Sequence, residues 1–86
     1  QVLRSNVFEI NVNGDTVSLR NVSVGTKYYK TLKEFREELN KLEIPDLSQK
    51  LAIISTSGET KYGNMLDALS AIQLRGFTQV NVRKKK

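Results

Sequence analysis

The sequence predicts an α+β domain with two layers, in which two helices pack on one face of a mixed β-sheet. Three observations predict this fold class: a hairpin with alternating apolar residues, an amphipathic helix after it, and a βαβ unit in the second half. The predicted element order is ββαβαβ. A single domain spans residues 1–86, with residues 1–6 as a linking segment and residues 83–86 as a basic tail.

The hairpin is predicted around Asn13-Gly14, a dipeptide typical of type I′ turns, in which both central residues have positive φ. This turn pairs Val12 with Asp15, Asn11 with Thr16, Ile10 with Val17, Glu9 with Ser18 and Phe8 with Leu19. Apolar residues then share one face and polar residues the other, so we expect one face to pack on the core and the other to meet water. Val22 and Val24 extend the second strand, which ends at Gly25.

The first helix is predicted to begin at Thr31. This residue, with Glu34 three positions later, forms a capping-box pattern. Four apolar residues then fall on one helical face: Leu32, Phe35, Leu39 and Leu42. Because Pro45 disfavours helical geometry at the residue before it, the helix should end near Leu42 or Glu43.

A βαβ unit is predicted between Leu51 and Val82. Leu51, Ile53 and Ile54 form a short apolar run, which is typical of an interior parallel strand buried on both faces. Ser55, Thr56, Ser57 and Gly58 follow this strand, where α/β proteins often bind ligands. The chain lacks the glycine spacing of a phosphate-binding loop, so this segment is interpreted as a strand-to-helix turn.

The helix of this unit is predicted to open at Tyr62-Gly63 and to close at Arg75 and Gly76. Its apolar stripe comprises Met65, Leu66, Leu69 and Ile72. Gly76 permits the left-handed conformation that ends a helix, after which Phe77 folds back on the last turn. Together the elements predict one core that contains Phe8, Ile10, Val17, Leu19, Phe35, Leu39, Ile53, Leu66, Leu69 and Ile72.

Composition limits the possible functions. The chain has no histidine and no cysteine, which removes the commonest general base, the commonest metal ligand and the best nucleophile at neutral pH. We therefore expect neither an enzyme nor a bound metal or cofactor. There are 14 basic and 9 acidic residues, giving a net charge of +5, but residues 83–86 carry four of the positive charges. The body of the domain has a mixed-charge surface, and its basicity resides in the terminal run.

Lys27-Tyr28-Tyr29-Lys30 offers an alternative function. Two aromatic rings flanked by lysines can stack on bases while the ammonium groups meet phosphate, as in small nucleic-acid-binding modules. The structural interpretation is that Tyr29 packs on the first helical turn and Tyr28 lies at a sheet edge. The sequence favours the structural interpretation, and the nucleic-acid module stays as the alternative.

The run LAIISTSGETKYGNMLDALSAIQLRGFTQVNV resembles the C-terminal half of the ExbD/TolR family, the periplasmic domains of proton-driven inner-membrane motors. The family pattern there is an apolar strand, a polar turn, a helix opened by tyrosine and closed by glycine, and a final strand. Tyr62 and Gly76 match this pattern in type and spacing. The opening run NVFEINVNGDTVSL resembles the family's first hairpin. Ser57 stands where many members carry aspartate, and Thr60 where an apolar residue is common.

The resemblance implies a subunit with a short cytoplasmic N-terminus, one transmembrane helix and this domain in the periplasm. Since the sequence begins at Gln1, we expect the helix, with its proton-carrying aspartate, to precede it. The implied partners are a second copy of the domain, a proton-channel subunit similar to ExbB or TolQ, and a periplasmic partner similar to TonB or TolA, or the cell wall. No nucleic acid is implied. The implied role is to transmit force or motion to a cell-envelope partner, whether the motor serves import, envelope integrity or motility.

The residues predicted to bind a partner are Gln79, Val80, Asn81 and Val82. This final strand alternates and contains neither proline nor an inward charge that would block pairing at a sheet edge. The alternative is that the N-terminal segment, residues 1–6, covers this edge.

Overall fold

The computed structural model describes residues 4–58 and 60–84. Within them the chain forms a five-stranded mixed sheet, in the order β3-β2-β1-β4-β5, with two α-helices. The elements are β1 (Val7–Asn13), β2 (Thr16–Asn21), β3 (Gly25–Tyr29), α1 (Leu32–Lys41), β4 (Leu51–Ser57), α2 (Tyr62–Arg75) and β5 (Gln79–Lys84), with short 3-10 turns at Arg4–Asn6 and Leu47–Gln49. The predicted class, a two-layer α+β sandwich, is confirmed.

The hairpin forms where predicted, but the predicted register is wrong by two residues. Asn13 pairs with Thr16 and Val12 with Val17, so the central residues of the turn are Gly14 and Asp15. Gly14 has a φ of 62° whereas Asp15 keeps a negative φ, as a type II′ turn requires. Because side chains alternate with a period of two, this slip leaves every residue on its predicted face. The observed register places two buried valines opposite each other.

A third strand, β3, follows the hairpin and was missed in the sequence. The predicted extension through Val22 and Val24 is wrong: these residues form a turn, and Gly25 begins β3 instead of ending β2. β3 runs antiparallel to β2 and forms one edge of the sheet. Four of its five residues are exposed, so it lacks the apolar alternation by which strands are recognised.

Both helices agree closely with the prediction. The Thr31 hydroxyl accepts a hydrogen bond from the backbone N–H of Glu34 at 3.1 Å, and α1 ends at Lys41. α2 spans Tyr62 to Arg75, and its last turn closes as expected, with the Phe77 N–H donating to the Ile72 carbonyl at 3.3 Å.

β4 lies between β1 and β5 and runs parallel to both, which confirms the predicted interior parallel strand. The prediction that it is buried on both faces is wrong. Ala52 and Ile54 face the helices and are buried, whereas Leu51 and Ile53 lie on the opposite face of the sheet and are only half-buried. No described element packs on that opposite face, so we call it the open face.

One core fills the space between the sheet and the helices. Of the ten residues predicted for it, Phe8, Ile10, Val17, Leu19, Phe35, Leu39 and Ile72 are buried. Ile53 lies on the open face, Leu69 is half-buried against the core, and Leu66 is 38% exposed. The apolar face of α2 is wider than the part of the helix that packs on the sheet. The apolar residues at the margin of this face, such as Leu66, therefore reach the surface.

Two polar side chains join elements of the core layer. The buried Asn21 amide donates to the carbonyls of Ser5 and Val7 and accepts from the N–H groups of Ser23 and Val24, so its hydrogen-bonding capacity is fully used. The bonds tie the β2–β3 turn to the start of β1.

Arg75, in the last turn of α2, donates to two carbonyls at the end of α1, those of Leu39 at 3.1 Å and Leu42 at 2.5 Å. It thereby adds a donor to carbonyls at a helix end, where the Leu39 carbonyl also accepts from the Leu42 N–H at 3.3 Å. The two helices are therefore held together at this end as one layer.

Candidate functional site: the β5 edge

β5 forms the edge of the sheet opposite β3. On its inner side it pairs in parallel with β4, from Leu51 opposite Gln79 to Thr56 opposite Lys84. On its outer side no strand pairs with it among residues 4–58 and 60–84. The backbone groups on that side are free to pair with an added strand. All four residues predicted to bind a partner therefore lie on an open sheet edge.

The side chains of β5 divide between the two faces of the sheet. Val80 and Val82 lie opposite Ala52 and Ile54, and so belong to the helix side. Val82 is nevertheless 47% exposed, since the helix layer does not extend over it. Gln79 and Arg83 are on the open face with Asn81 between them. Arg83 and Lys84 belong to β5, so this strand continues into the predicted basic tail, of which residues 85–86 lie outside the described residues.

The alternative cover for this edge was the N-terminal segment. Its described part, Arg4–Asn6, forms a 3-10 turn that contacts β2, and the Asn6 side chain accepts a bond from the Lys50 ammonium at 2.8 Å. These contacts place Arg4–Asn6 at the start of β1, with β4 between it and β5. The first three residues of the predicted segment lie outside the described residues.

Thr60 and Asn64 form hydrogen bonds to the turn of the hairpin and so join the two halves of the fold. We call these two residues, together with the hairpin turn, the latch. The Thr60 hydroxyl accepts from the Gly14 N–H at 3.0 Å and lies 3.0 Å from the Val12 carbonyl, and the Asn64 amide donates to the Gly14 carbonyl at 2.9 Å. The β4–α2 loop is thus fixed to the tip of the hairpin. The sequence marked Thr60 only as a departure from an apolar pattern, because bonds across more than forty residues leave no local signal.

The loop before Thr60 also approaches the hairpin closely. Gly58 has a φ of 65°, and a Cβ atom there would lie 2.8 Å from the Asn13 side-chain oxygen. The Ser57 hydroxyl contacts Asn11 Oδ1 at 3.3 Å. The prediction that Ser55 to Gly58 form a strand-to-helix turn is wrong for three residues: Ser55, Thr56 and Ser57 belong to β4, and only Gly58 lies beyond the strand.

The two tyrosines of the Lys27–Lys30 string lie on opposite faces of β3. Tyr29 is buried and packs edge-to-face on Phe35, with ring centroids 5.6 Å apart. Burial and the nearby carboxylates of Glu38 and Glu34 raise the pKa of Tyr29. Tyr28 points to the open face and is 80% exposed. Only one of the two rings is therefore accessible for stacking.

The open face is polar where β1 and β2 meet. Glu9 and Arg20 are direct cross-strand partners and form an ion pair at 3.0 Å. Both side chains are exposed, so the pair adds little stability, but it places a carboxylate beside the arginine on this face. The described residues of β1 and β4 place no aromatic ring on this face, in contrast to sheet surfaces on which successive bases stack. These features do not favour the nucleic-acid alternative.

No cluster of three or more potential metal-ligating side chains occurs among the residues that were described. No helix in that part of the chain is long and apolar enough to span a membrane.

A comparison with known proteins gives no match, either to a protein-family model or to a curated sequence. The resemblance to the ExbD/TolR family stays a prediction from the sequence.

Proposed function

We propose that this chain is the periplasmic domain of a subunit in a proton-motive-force-driven motor of the inner membrane. A transmembrane helix before the domain anchors it and contacts a channel subunit similar to ExbB or TolQ. The domain transmits motion to a cell-envelope partner by adding that partner's extended segment, or a second copy of the domain, to its sheet. Such a role requires surfaces and stiffness and no catalytic group or cofactor.

The observation that carries the proposal is the outer side of β5, with which no strand pairs among residues 4–58 and 60–84. Strand addition at such an edge is a common mode of peptide recognition, in which backbone hydrogen bonds provide affinity. The remaining open edge, β3, is five residues long and follows directly into α1. β5 has the alternating pattern and the apolar side chains that β3 lacks.

The latch and Arg75 support the mechanical part of the proposal. Thr60 and Asn64 fix the hairpin to the start of α2, and Arg75 fixes the end of α2 to α1. A pull on β5 is therefore shared by both helices and by the hairpin, since each neighbouring element is bonded to the next. A domain that passes force between a membrane anchor and a partner needs this continuity.

Proline substitutions in β5 test the proposal. Successive N–H groups of a strand point to opposite sides, so one of Asn81 and Val82 directs its N–H away from β4. We expect Asn81→Pro or Val82→Pro, whichever retains the stability of the parent, to weaken association at least about tenfold. Sedimentation equilibrium of the domain and titration with candidate periplasmic partners measure the loss, and thermal unfolding identifies the informative variant.

Neutralising Lys84, Lys85 and Lys86 with glutamine provides the control. Strand pairing should survive this change and a rise in salt, whereas phosphate binding falls steeply with salt. The proposal fails if the stable proline variant associates as well as the parent. It also fails if the lysine-to-glutamine variant loses association while the proline variant keeps it.

A further inference from the structure

An apolar surface adjoins the open edge of β5 on the helix side. Its members come from the outer flank of α2 and from the strand: Tyr62, Met65, Leu66, Leu69, Val80 and Val82. We call this the α2–β5 surface. Tyr62 is 70% exposed, and Leu66 and Val82 are also exposed, whereas Met65, Leu69 and Val80 are half-buried against the core. The outer members of the surface are therefore open to solvent.

Helical spacing and hydrogen bonds fix which way this flank faces. Tyr62, Leu66 and Leu69 follow one another at intervals of four and three, so they share one side of α2. Arg75 lies on the opposite side and bonds to the end of α1. Since α1 packs over β2 and β3, and α2 over β1 and β4, the side of α2 turned away from α1 faces β5.

The two parts of the site require complementary chemistry from one ligand. The free backbone of β5 requires an extended segment, whose side chains alternate between the two faces of the sheet. Side chains on the helix side would lie beside Val80 and Val82 and beneath Leu66. An added strand would lie about 4.8 Å beyond β5, so long apolar side chains on it are better able than short ones to extend toward the α2 flank. A second copy of β5 would offer only Val80 and Val82 as apolar side chains on this side, and it has no acidic residue to place near Arg83.

On the open face of the sheet, the charge of Arg83 indicates which ligand side chains would fit. Arg83 is exposed on the open face and forms no ion pair within residues 4–58 and 60–84. Residues 83–86, which include Arg83, carry four of the 14 positive charges of the chain, so the positive charge is concentrated at the end of the sequence. An acidic side chain on the ligand's polar face, at the end nearest Arg83, would complete this side of the site.

We propose that the α2–β5 surface selects the partner segment: an extended stretch of another protein with long apolar residues at alternate positions and an acidic residue near Arg83. The proposal rests on the proposed function, because it assumes that β5 accepts an added strand. It goes beyond strand addition in assigning specificity to α2.

Two designed peptides of about nine residues, the length of a strand, serve as probes. One alternates leucine and threonine and carries glutamate at each end. The other has the same composition with its leucines in one block. We expect the alternating peptide to bind at least about tenfold more tightly, and to shift the NMR signals of Leu66, Val80 and Val82. Equal binding of the two peptides would overturn the proposal.

Two exposed leucines of α2 provide a matched pair of variants. Leu66 is 38% exposed on the flank toward β5, whereas Leu74 is 83% exposed and lies eight residues further along α2, about 12 Å away along the helix axis. We expect Leu66→Glu to weaken the alternating peptide at least about tenfold and Leu74→Glu to leave it within about twofold. Thermal unfolding verifies that each variant folds, and Leu66→Gln replaces Leu66→Glu if the latter is unstable. Equal effects of the two substitutions would contradict the assignment.

The outcomes separate this inference from the proposed function. If the stable β5 proline variant loses partner binding while Leu66→Glu keeps it, the edge is correct and the role of α2 is wrong. If neither substitution weakens partner binding, strand addition at the β5 edge is wrong as well. If Leu66→Glu abolishes dimerisation of the domain and the peptide does not bind, a second copy occupies the surface and the proposed ligand class is overturned.

Discussion

Replacing Phe35 by alanine is expected to lower the free energy of unfolding by about 3–5 kcal/mol. Phe35 is fully buried and lies on the face of α1 that packs on the sheet. Its ring meets Tyr29 edge-to-face at a centroid distance of 5.6 Å, so truncation removes an aromatic pair as well as apolar burial. Stability of a small domain is only about 5–15 kcal/mol, so the loss is a large fraction of the total.

Urea unfolding, followed by circular dichroism, measures this change. The neighbouring Arg36→Ala is the control, because Arg36 is exposed and its substitution should change stability by less than about 0.5 kcal/mol. A loss below about 1 kcal/mol for Phe35→Ala would show that α1 does not pack on the sheet as described.

The second large effect is expected from Asn21→Asp, at about 2–4 kcal/mol near neutral pH. Aspartate has the shape of asparagine and can still accept from Ser23 and Val24, but its carboxylate cannot donate to the carbonyls of Ser5 and Val7. Both carbonyls would then face a buried negative charge. The expected loss comes from these unmatched acceptors and not from a change in packing.

The pH dependence of the stability of Asn21→Asp distinguishes a loss caused by unmatched hydrogen-bond acceptors from a loss caused by changed packing. Burial and the facing carbonyls should raise the pKa of the new carboxyl in the folded state above its unfolded value. Its protonated form can donate one bond, so the variant should regain stability relative to the parent as pH falls through the raised folded-state pKa, and the gain should be complete below the unfolded value of about 4. Asn40→Asp, at an exposed position of α1, is the control for a change of charge alone. A loss that is constant between pH 3 and pH 7, taken as about the range of carboxyl titration, would contradict the role of the amide.

The elements with strong periodicity were predictable from the sequence. α1 and α2 have capping and closing residues at the observed positions, and β4 has the apolar run of an interior strand. The hairpin was placed correctly, but Asn13-Gly14 and Gly14-Asp15 are both acceptable turn pairs. The choice between them follows from the pairing of Val12 with Val17 and from the Thr60 latch, neither of which is visible in the turn residues.

The rest depends on contacts between distant segments. β3 has no apolar alternation because its side chains, apart from Tyr29, are exposed at a sheet edge. Leu66 was assigned to the core because its spacing fits the apolar stripe of α2, yet spacing does not reveal how far the sheet extends beneath a helix. At the candidate site, the pattern of Gln79 to Val82 predicted an edge strand correctly. The sequence did not show that a flank of α2 adjoins this strand, because that depends on which side of the helix faces β5.

Cross-linking through β5 in the intact, membrane-anchored protein is the most direct measurement of strand addition. The sequence given has no cysteine, so Asn81→Cys introduces a single thiol in the domain, on the open face of the edge strand. We expect a short thiol-directed photoreactive reagent at this position to trap a second copy or an envelope partner in cells. Leu74→Cys, far from the edge and highly exposed, should trap neither under the same conditions. Equal yields from the two positions, or no product at Asn81→Cys, would contradict a partner strand at β5.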